Sequence, residues 1–295
     1  MYINSNHMAN NVANTLTSHY GNLRTSTQRL STGLRVNSAA DDAAGLAIRE
    51  LMRTDIAALQ QGVRNANDAI SLIQTADGAL AVIDEKLTRM KELAEQAATG
   101  TYDSTQRLMI ESEYQAMASE ITRIANATDF NGIHLLNGNL SSDSHDGSGL
   151  SSTGKLKVHF GSMNDSAEDY YYIQIGTSTA SALGVGNEAA PTSLAYTVST
   201  QQAAQSALVG LNEAVISKDK IRAHLGALQN RLENTISNLT TQAENLQAAE
   251  SRISDVDVAT EMTRFVRNQI LTQSAVAMLS QANSLPQMAM QLIGR

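Results

Sequence analysis

No cysteine occurs anywhere in the chain. A disulfide framework, a thiol nucleophile and a cysteine-built zinc site are therefore excluded. Tryptophan is also missing, and 3 Phe and 8 Tyr in 295 residues hold the aromatics to 4%. A compact globular core of this length draws much of its buried area from aromatic rings. Helices packed side by side do not, because Leu, Ile, Val and Ala fill their seams. Only 2 prolines are present, so long helices meet few breakers. Basic residues are outnumbered 21 to 29, which gives a net charge of −8 and no basic stripe. That argues against a nucleic-acid partner. No apolar run is long enough to span a bilayer, so no membrane partner is expected. Residues 1–11 are polar and Asn-rich, without the basic start and apolar run of a secretory signal.

Catalytic motifs are missing as well. The six histidines, His7, His19, His134, His145, His159 and His224, form no His-Glu-x-x-His pair. There is no Gly-x-Ser-x-Gly elbow and no P-loop. His145 with Asp143 and Asp146 is a candidate metal cluster, but acidic residues in a Ser/Gly loop read first as a solvated surface. Met262, Met278, Met288 and Met290 read as adaptable packing residues rather than a copper site. No enzyme activity, metal or cofactor is expected.

What is present is helical periodicity. Over residues 43–98 the apolar positions step by three and four through Ile56, Leu59, Val63, Ala66, Ile70 and Ile73. The phase slips at Ala76 and resumes with Leu80, Ile83, Leu87, Met90 and Ala94. A narrow seam of this kind is the pattern of a coiled coil, and the slip reads as a stammer. At the helical rise per residue the segment makes a rod of about 84 Å, which needs a partner of similar length. Residues 199–253 supply it. Leu208, Leu211 and Val215 open a stripe, Lys218 and Arg222 interrupt it, and Leu225, Leu228, Leu232 and Leu239 restore the spacing. The matched lengths predict antiparallel pairing of the two rods.

Other segments are shorter. Residues 8–34 carry a thin stripe of Met8, Val12, Leu16, Tyr20, Leu23, Thr27, Leu30 and Leu34 among Asn, Ser and Thr, which predicts a helix that is loose alone and ordered by packing. Gly33 stops it, and Asp41 and Asp42 open the long helix, where carboxylates suit the dipole. A helix over 104–127, capped by Ser104 or Thr105, buries Ile110, Tyr114, Met117, Ile121 and Ile124, and residues 128–132 turn the chain. Residues 139–154 read as a loop. Alternating runs at 155–161 and 169–176 then predict a β-hairpin. Near the end, Phe265, Val266, Ile270, Leu271, Val276, Met278 and Leu279 spread round most of one helix, which therefore must be surrounded. The fold class is mainly α, with long antiparallel coiled-coil helices from both chain ends and a small β-hairpin region.

Five stretches are recognisable. The string Leu30-Ser31-Thr32-Gly33-Leu34-Arg35-Val36-Asn37-Ser38-Ala39-Ala40-Asp41-Asp42-Ala43-Ala44-Gly45 resembles the N-terminal signature of bacterial flagellins, and so does the opening Met-x-Ile-Asn-x-Asn. The Phe130-Asn131-Gly132 turn is similar to theirs. Arg252-Ile253-Ser254-Asp255-Val256-Asp257-Val258-Ala259-Thr260-Glu261-Met262 and Gln281-Ala282-Asn283-Ser284-Leu285-Pro286-Gln287 resemble their C-terminal signatures. The resemblance covers residues 1–138 and 199–295. It implies a secreted structural subunit of the extracellular flagellar filament, a helical homopolymer that gives motility. It implies a discontinuous polymerisation domain, 1–42 with 256–295, and a rod domain, 43–255, containing 139–198 as its β and loop block. Leu16, Leu23, Leu30, Phe265, Val266, Ile270, Leu279 and Leu285 are then the expected polymerisation residues. Partners implied are an export chaperone, the filament cap, hook-associated junction proteins and, in a host, the toll-like receptor for flagellin. For that receptor the resemblance singles out Arg89 and Leu93, spaced to share a helix face, and Glu113. Two alternatives remain at this point, a hook–filament junction protein and a cytoplasmic coiled-coil adaptor.

Overall fold

The computed structural model describes residues 6–149, 153–166 and 168–293. The opening Met-x-Ile-Asn signature and the Met290 side chain lie outside the described residues. Among the described residues six helices are formed, α1 His7–Thr32, α2 Ala43–Ala98, α3 Ser104–Ala127, α4 Ala180–Leu183, α5 Gln201–Ser254 and α6 Val258–Ile293. Six short strands pair antiparallel as β1 Asp129–Phe130 with β2 Ile133–His134, β3 His145–Asp146 with β4 Thr153–Gly154, and β5 Leu156–His159 with β6 Tyr170–Ile173. The architecture is mainly α, as the periodicity requires. The chain divides into two compact units, residues 1–56 with 244–295, and residues 57–243.

In the second unit α2 and α5 run antiparallel. Lys91 donates to Asn212 at 2.8 Å, Lys218 to Asp84 at 2.5 Å and Arg222 to Asp77 at 2.7 Å, so the numbering falls along one helix as it rises along the other. The seam of α2 differs from the sequence expectation. From Leu59 onward, Leu59, Gly62, Ala66, Ala69, Ile73, Ala76, Leu80, Ile83, Leu87, Met90, Ala94 and Ala97 form an unbroken three–four alternation of buried positions, with no stammer, and Leu72 and Leu93 are buried beside it. Ile56, Val63 and Ile70 are half-buried beside it. At this end the larger side chains thus stand beside the seam, and the smaller Gly62, Ala66, Ala69 and Ala76 lie in it. A Cβ on Gly62 would stand 1.9 Å from the carbonyl oxygen of Phe160, so the hairpin backbone rests directly on α2 there. Asn65 holds the same spot, donating to the carbonyl of His159 at 2.8 Å.

Lys218 is a second correction. It does not interrupt the α5 stripe but belongs to it, between Ala214 and Leu225, with only 2% of its surface exposed. Its ammonium meets Asp84 at 2.5 Å and Asp219 at 2.7 Å. Burial opposes its charge, and the two carboxylates outweigh that and raise its pKa. Leu225, Leu228, Leu232 and Leu239 are buried as expected.

Helix α3 begins one residue after Asp103, whose backbone amide donates to the Gln106 side-chain oxygen at 3.1 Å, so the cap lies just ahead of Ser104. Its buried face uses Ala118 and Ala125 with Ile110, Tyr114 and Ile121, while Met117 and Ile124 are half-buried. Arg107 reaches back to the carbonyls of Ala97 and Thr99, satisfying the open end of α2. The turn after α3 is itself a tight hairpin, because Asn131 and Gly132 both adopt positive φ, 52° and 79°. An Asn-Gly pair between two strands is its sequence signal. Residues 139–154 likewise contain the β3–β4 pair rather than loop alone. The β5–β6 hairpin forms as expected, with Val158 opposite Tyr171, and the segment buries Val158, Phe160, Ile173 and Ile175.

In the first unit α1 and α6 pair antiparallel, since Ser26 donates to Glu261 at 2.5 Å and Asn6 to the carbonyl of Ala282 at 2.8 Å. Gly33 ends α1 in the left-handed conformation. The connectors then meet, Arg35 N donating to Ser254 at 2.7 Å and Val256 N to Gly33 at 3.0 Å. Asp41 accepts from the amides of Asn37 and Ser38, which lowers its pKa, and Asp42 caps α2 through the amide of Gly45.

Four variants test these features in urea unfolding. Gly62→Ala should destabilise the chain by about 1–3 kcal/mol despite the better helix propensity of alanine. Gly78→Ala, where nothing lies within 4 Å of the new Cβ, should instead stabilise it by up to about 1 kcal/mol. Lys218→Met should stay within about 1 kcal/mol of the parent, because a buried pair can be replaced by apolar packing. Asp84→Ala should cost about 1–2 kcal/mol, less than the usual price of orphaning a buried charge, because Asp84 is partly exposed and Asp219 remains.

Candidate assembly surface

The terminal helix pair is built on two complementary stripes. On α1 the covered positions are Ala9, Val12, Leu16, His19, Leu23, Ser26 and Leu30, and on α6 they are Glu261, Phe265, Asn268, Thr272, Ala275, Leu279 and Ala282. Both alternate three and four. Met8, Tyr20 and Thr27, assigned to the α1 stripe on sequence, are exposed instead, and the polar His19 and Ser26 take up the phase. The seam is thin, and of its members only Ser26, Glu261, Thr272 and Ala282 are fully buried. Glu261 is held by Ser26 at 2.5 Å, with Arg29 at 3.8 Å and Arg264 at 3.6 Å.

The expected polymerisation residues therefore split into two groups. Leu16, Leu23, Leu30, Phe265, Leu279 and Leu285 are half-buried within the subunit. A leucine or phenylalanine half-covered by its own chain is part of that chain's stability, so Phe265 is not reserved for contacts with other copies. Val266 and Ile270 are 44% and 56% exposed. They continue a row that begins with Val258 and Met262, each four residues on from the last, so four apolar side chains share one ridge of α6. No sequence signal had singled out Val258. Leu271, Val276, Met278 and Met288 are exposed too. Apolar residues thus leave α6 in several directions, as their spread in the sequence requires.

The second candidate surface lies on α2 and α3. Arg89 reaches Glu113 from Nε at 3.0 Å and Nη2 at 2.7 Å, and Glu92 from Nη1 at 3.0 Å. The bonds to Glu113 and then Glu92 raise the Arg89 pKa above its ordinary value. Both partners are about half exposed. Leu93 is not, at 1%. The spacing placed it on the flank of a two-helix seam. Helix α3 adds a third partner there, and the flank becomes interior. Among the described residues no group of three His, Cys, Asp or Glu side chains is arranged to hold a metal ion. Asp143 accepts from Gln174 and Asp146 from Ser148, while His145 Nδ1 bonds the Lys155 carbonyl. No helix among them is long and apolar enough to cross a membrane.

Comparison with known proteins places these surfaces in a family. Residues 3–141 match the bacterial flagellin N-terminal helical region, and residues 208–293 match the bacterial flagellin C-terminal helical region. The flagellar filament 33 kDa core protein of Treponema phagedenis is 40% identical over 293 residues, 99% of this chain and 100% of its own length. A Bacillus subtilis flagellin is 41% identical over 311 residues, again 99% and 100%. Among solved structures, a Vibrio parahaemolyticus chain described as a flagellar hook-associated protein aligns with a TM-score of 0.57 at 13% identity, covering 73% of this chain and 100% of that one. At that identity the likeness concerns the fold alone. The family is structural, and its members polymerise into the extracellular flagellar filament. Because both helical regions match and the likeness to filament proteins runs the length of the chain, this chain belongs to the bacterial flagellins and is a structural subunit of the flagellar filament.

Proposed function

We propose that the subunit enters the filament through its terminal helices, with residues 1–42 and 256–295 as the polymerising part and residues 43–255 as the rod that carries the 139–198 block. The observation that supports this is the exposed ridge Val258, Met262, Val266 and Ile270 on α6. An apolar row left in water by the subunit alone is covered when copies meet. Leu16, Leu23, Leu30, Phe265, Leu279 and Leu285 act one step back, fixing α6 against α1 and lending their open edges to the contact. Before assembly the ridge needs cover, which is the place of an export chaperone for a secreted subunit. At the ends of a polymer it lies open, which is where the cap and the hook-associated junction proteins bind. The role asks for binding and packing only, with no reaction.

A second reading concerns a host. The Arg89 and Glu113 patch is accessible on the subunit and is the surface we assign to the toll-like receptor for flagellin. Leu93 supports that surface from beneath and does not touch the partner.

Two measurements check these readings. Val266→Asp with Ile270→Asp should abolish filament formation seen by electron microscopy while the helicity of the free subunit is unchanged, and a normal yield of filaments would refute the assembly reading. In a reporter assay Arg89→Ala monomer should activate the receptor less than parent monomer at equal helicity. Leu93→Ala should instead lower thermal stability first, by about 2–5 kcal/mol for a buried leucine. Full activity of a folded Arg89→Ala monomer would remove the patch from consideration.

A further inference from the structure

The charge on the terminal helices is gathered at one end of the pair. Apart from His7 and His19, α1 and α6 hold Arg24, Arg29, Glu261, Arg264 and Arg267, and no other basic or acidic side chain. That is a net +3 within a chain of net −8. Four of the five line one cavity of about 370 Å³ between the helices. Its single carboxylate, Glu261, is 3% exposed and already accepts from Ser26. Arg29 and Arg264 approach it only at 3.8 and 3.6 Å, and Arg267 lines the cavity with no hydrogen bond or ion pair in the subunit. The Nε of Arg29 is buried there without an acceptor. Three guanidinium groups, each with five donors, thus face one occupied carboxylate.

We propose that this cavity receives a carboxylate from a second copy of the chain, making an ion-paired contact between subunits of the filament. The proposal rests on assembly through the terminal helices and adds a polar contact to the apolar one. The occupant follows from charge complementarity. The polymer is made of one chain, that chain is acidic outside these two helices, and an arginine fork suits a carboxylate. The same compact unit offers donors of that charge. Asp55, Glu244 and Glu250 make no hydrogen bond or ion pair, whereas Asp41, Asp42, Glu50, Asp255 and Asp257 are already engaged within the subunit.

The test is the critical concentration for assembly of the full-length chain, measured at about 20 mM and about 300 mM NaCl, where screening differs strongly. Arg267→Gln removes an exposed side chain with no partner in the subunit, so helicity and Tm should not move. Its critical concentration should rise roughly tenfold or more at low salt, and the salt dependence should flatten. Arg267→Glu should assemble worse still, and one of Asp55→Arg, Glu244→Arg or Glu250→Arg in the same chain should restore it. An unchanged critical concentration and salt response in Arg267→Gln would overturn the proposal, as would failure of all three reversals to restore Arg267→Glu. If in the same series Val266→Asp with Ile270→Asp still assembled normally, the fault would lie in the underlying reading and not in the cavity alone.

Discussion

The closing of the chain's two ends upon each other is the constraint on which the remaining features depend. Helix α1 is rich in Asn, Ser and Thr, and its stripe is one residue wide. Such a helix is marginal in water by itself. Helix α6 has the opposite fault, with apolar residues in more directions than one partner covers. Pairing them repairs the first and only half repairs the second. What remains uncovered on α6 is the surface we propose for the contact between subunits, so one incomplete match would serve both intramolecular order and assembly.

The other compact unit is stabilised by a different device, close approach. Gly62, Ala66, Ala69 and Ala76 let α2 come near its neighbours, and the β5–β6 hairpin sits on the bare backbone of Gly62. Farther along, α3 joins, and the buried residues become larger, with Tyr114 donating to the carbonyl of Ala195 at 2.7 Å. Burial, with a smaller contribution from Glu111, pushes that phenol's pKa up, so it remains a neutral donor.

Much of this was legible in the sequence, because period and caps are local. The α2 and α3 spans, the Gly33 stop, the β5–β6 hairpin and the antiparallel rods all follow from side-chain spacing. What escaped depends on neighbours. Side-chain size marks Val63 and Ile70 as apolar, but a small residue such as Gly62 or Ala69 carries no comparable signal of burial. Lys218 read as an interruption because a lone lysine carries no sign of the aspartate 134 positions away that accepts it. Leu93 read as a flank because a third helix cannot be inferred from the periodicity of one. At the assembly surface, spacing gave the apolar character of α6, but which of its residues α1 covers required the pair itself.

Lys218 has a mechanical consequence. A seam of alanines and leucines is smooth, and two such helices can slide past each other by one heptad with most contacts remade. Here two charge pairs are set along the seam, Lys218 with Asp84 and Arg222 with Asp77, one heptad apart on α2. Sliding by a heptad one way would bring the ammonium to Asp77 but take Arg222 past its carboxylate, and the other way would bring the ammonium up to Lys91. The two pairs together therefore fix the register of the two helices.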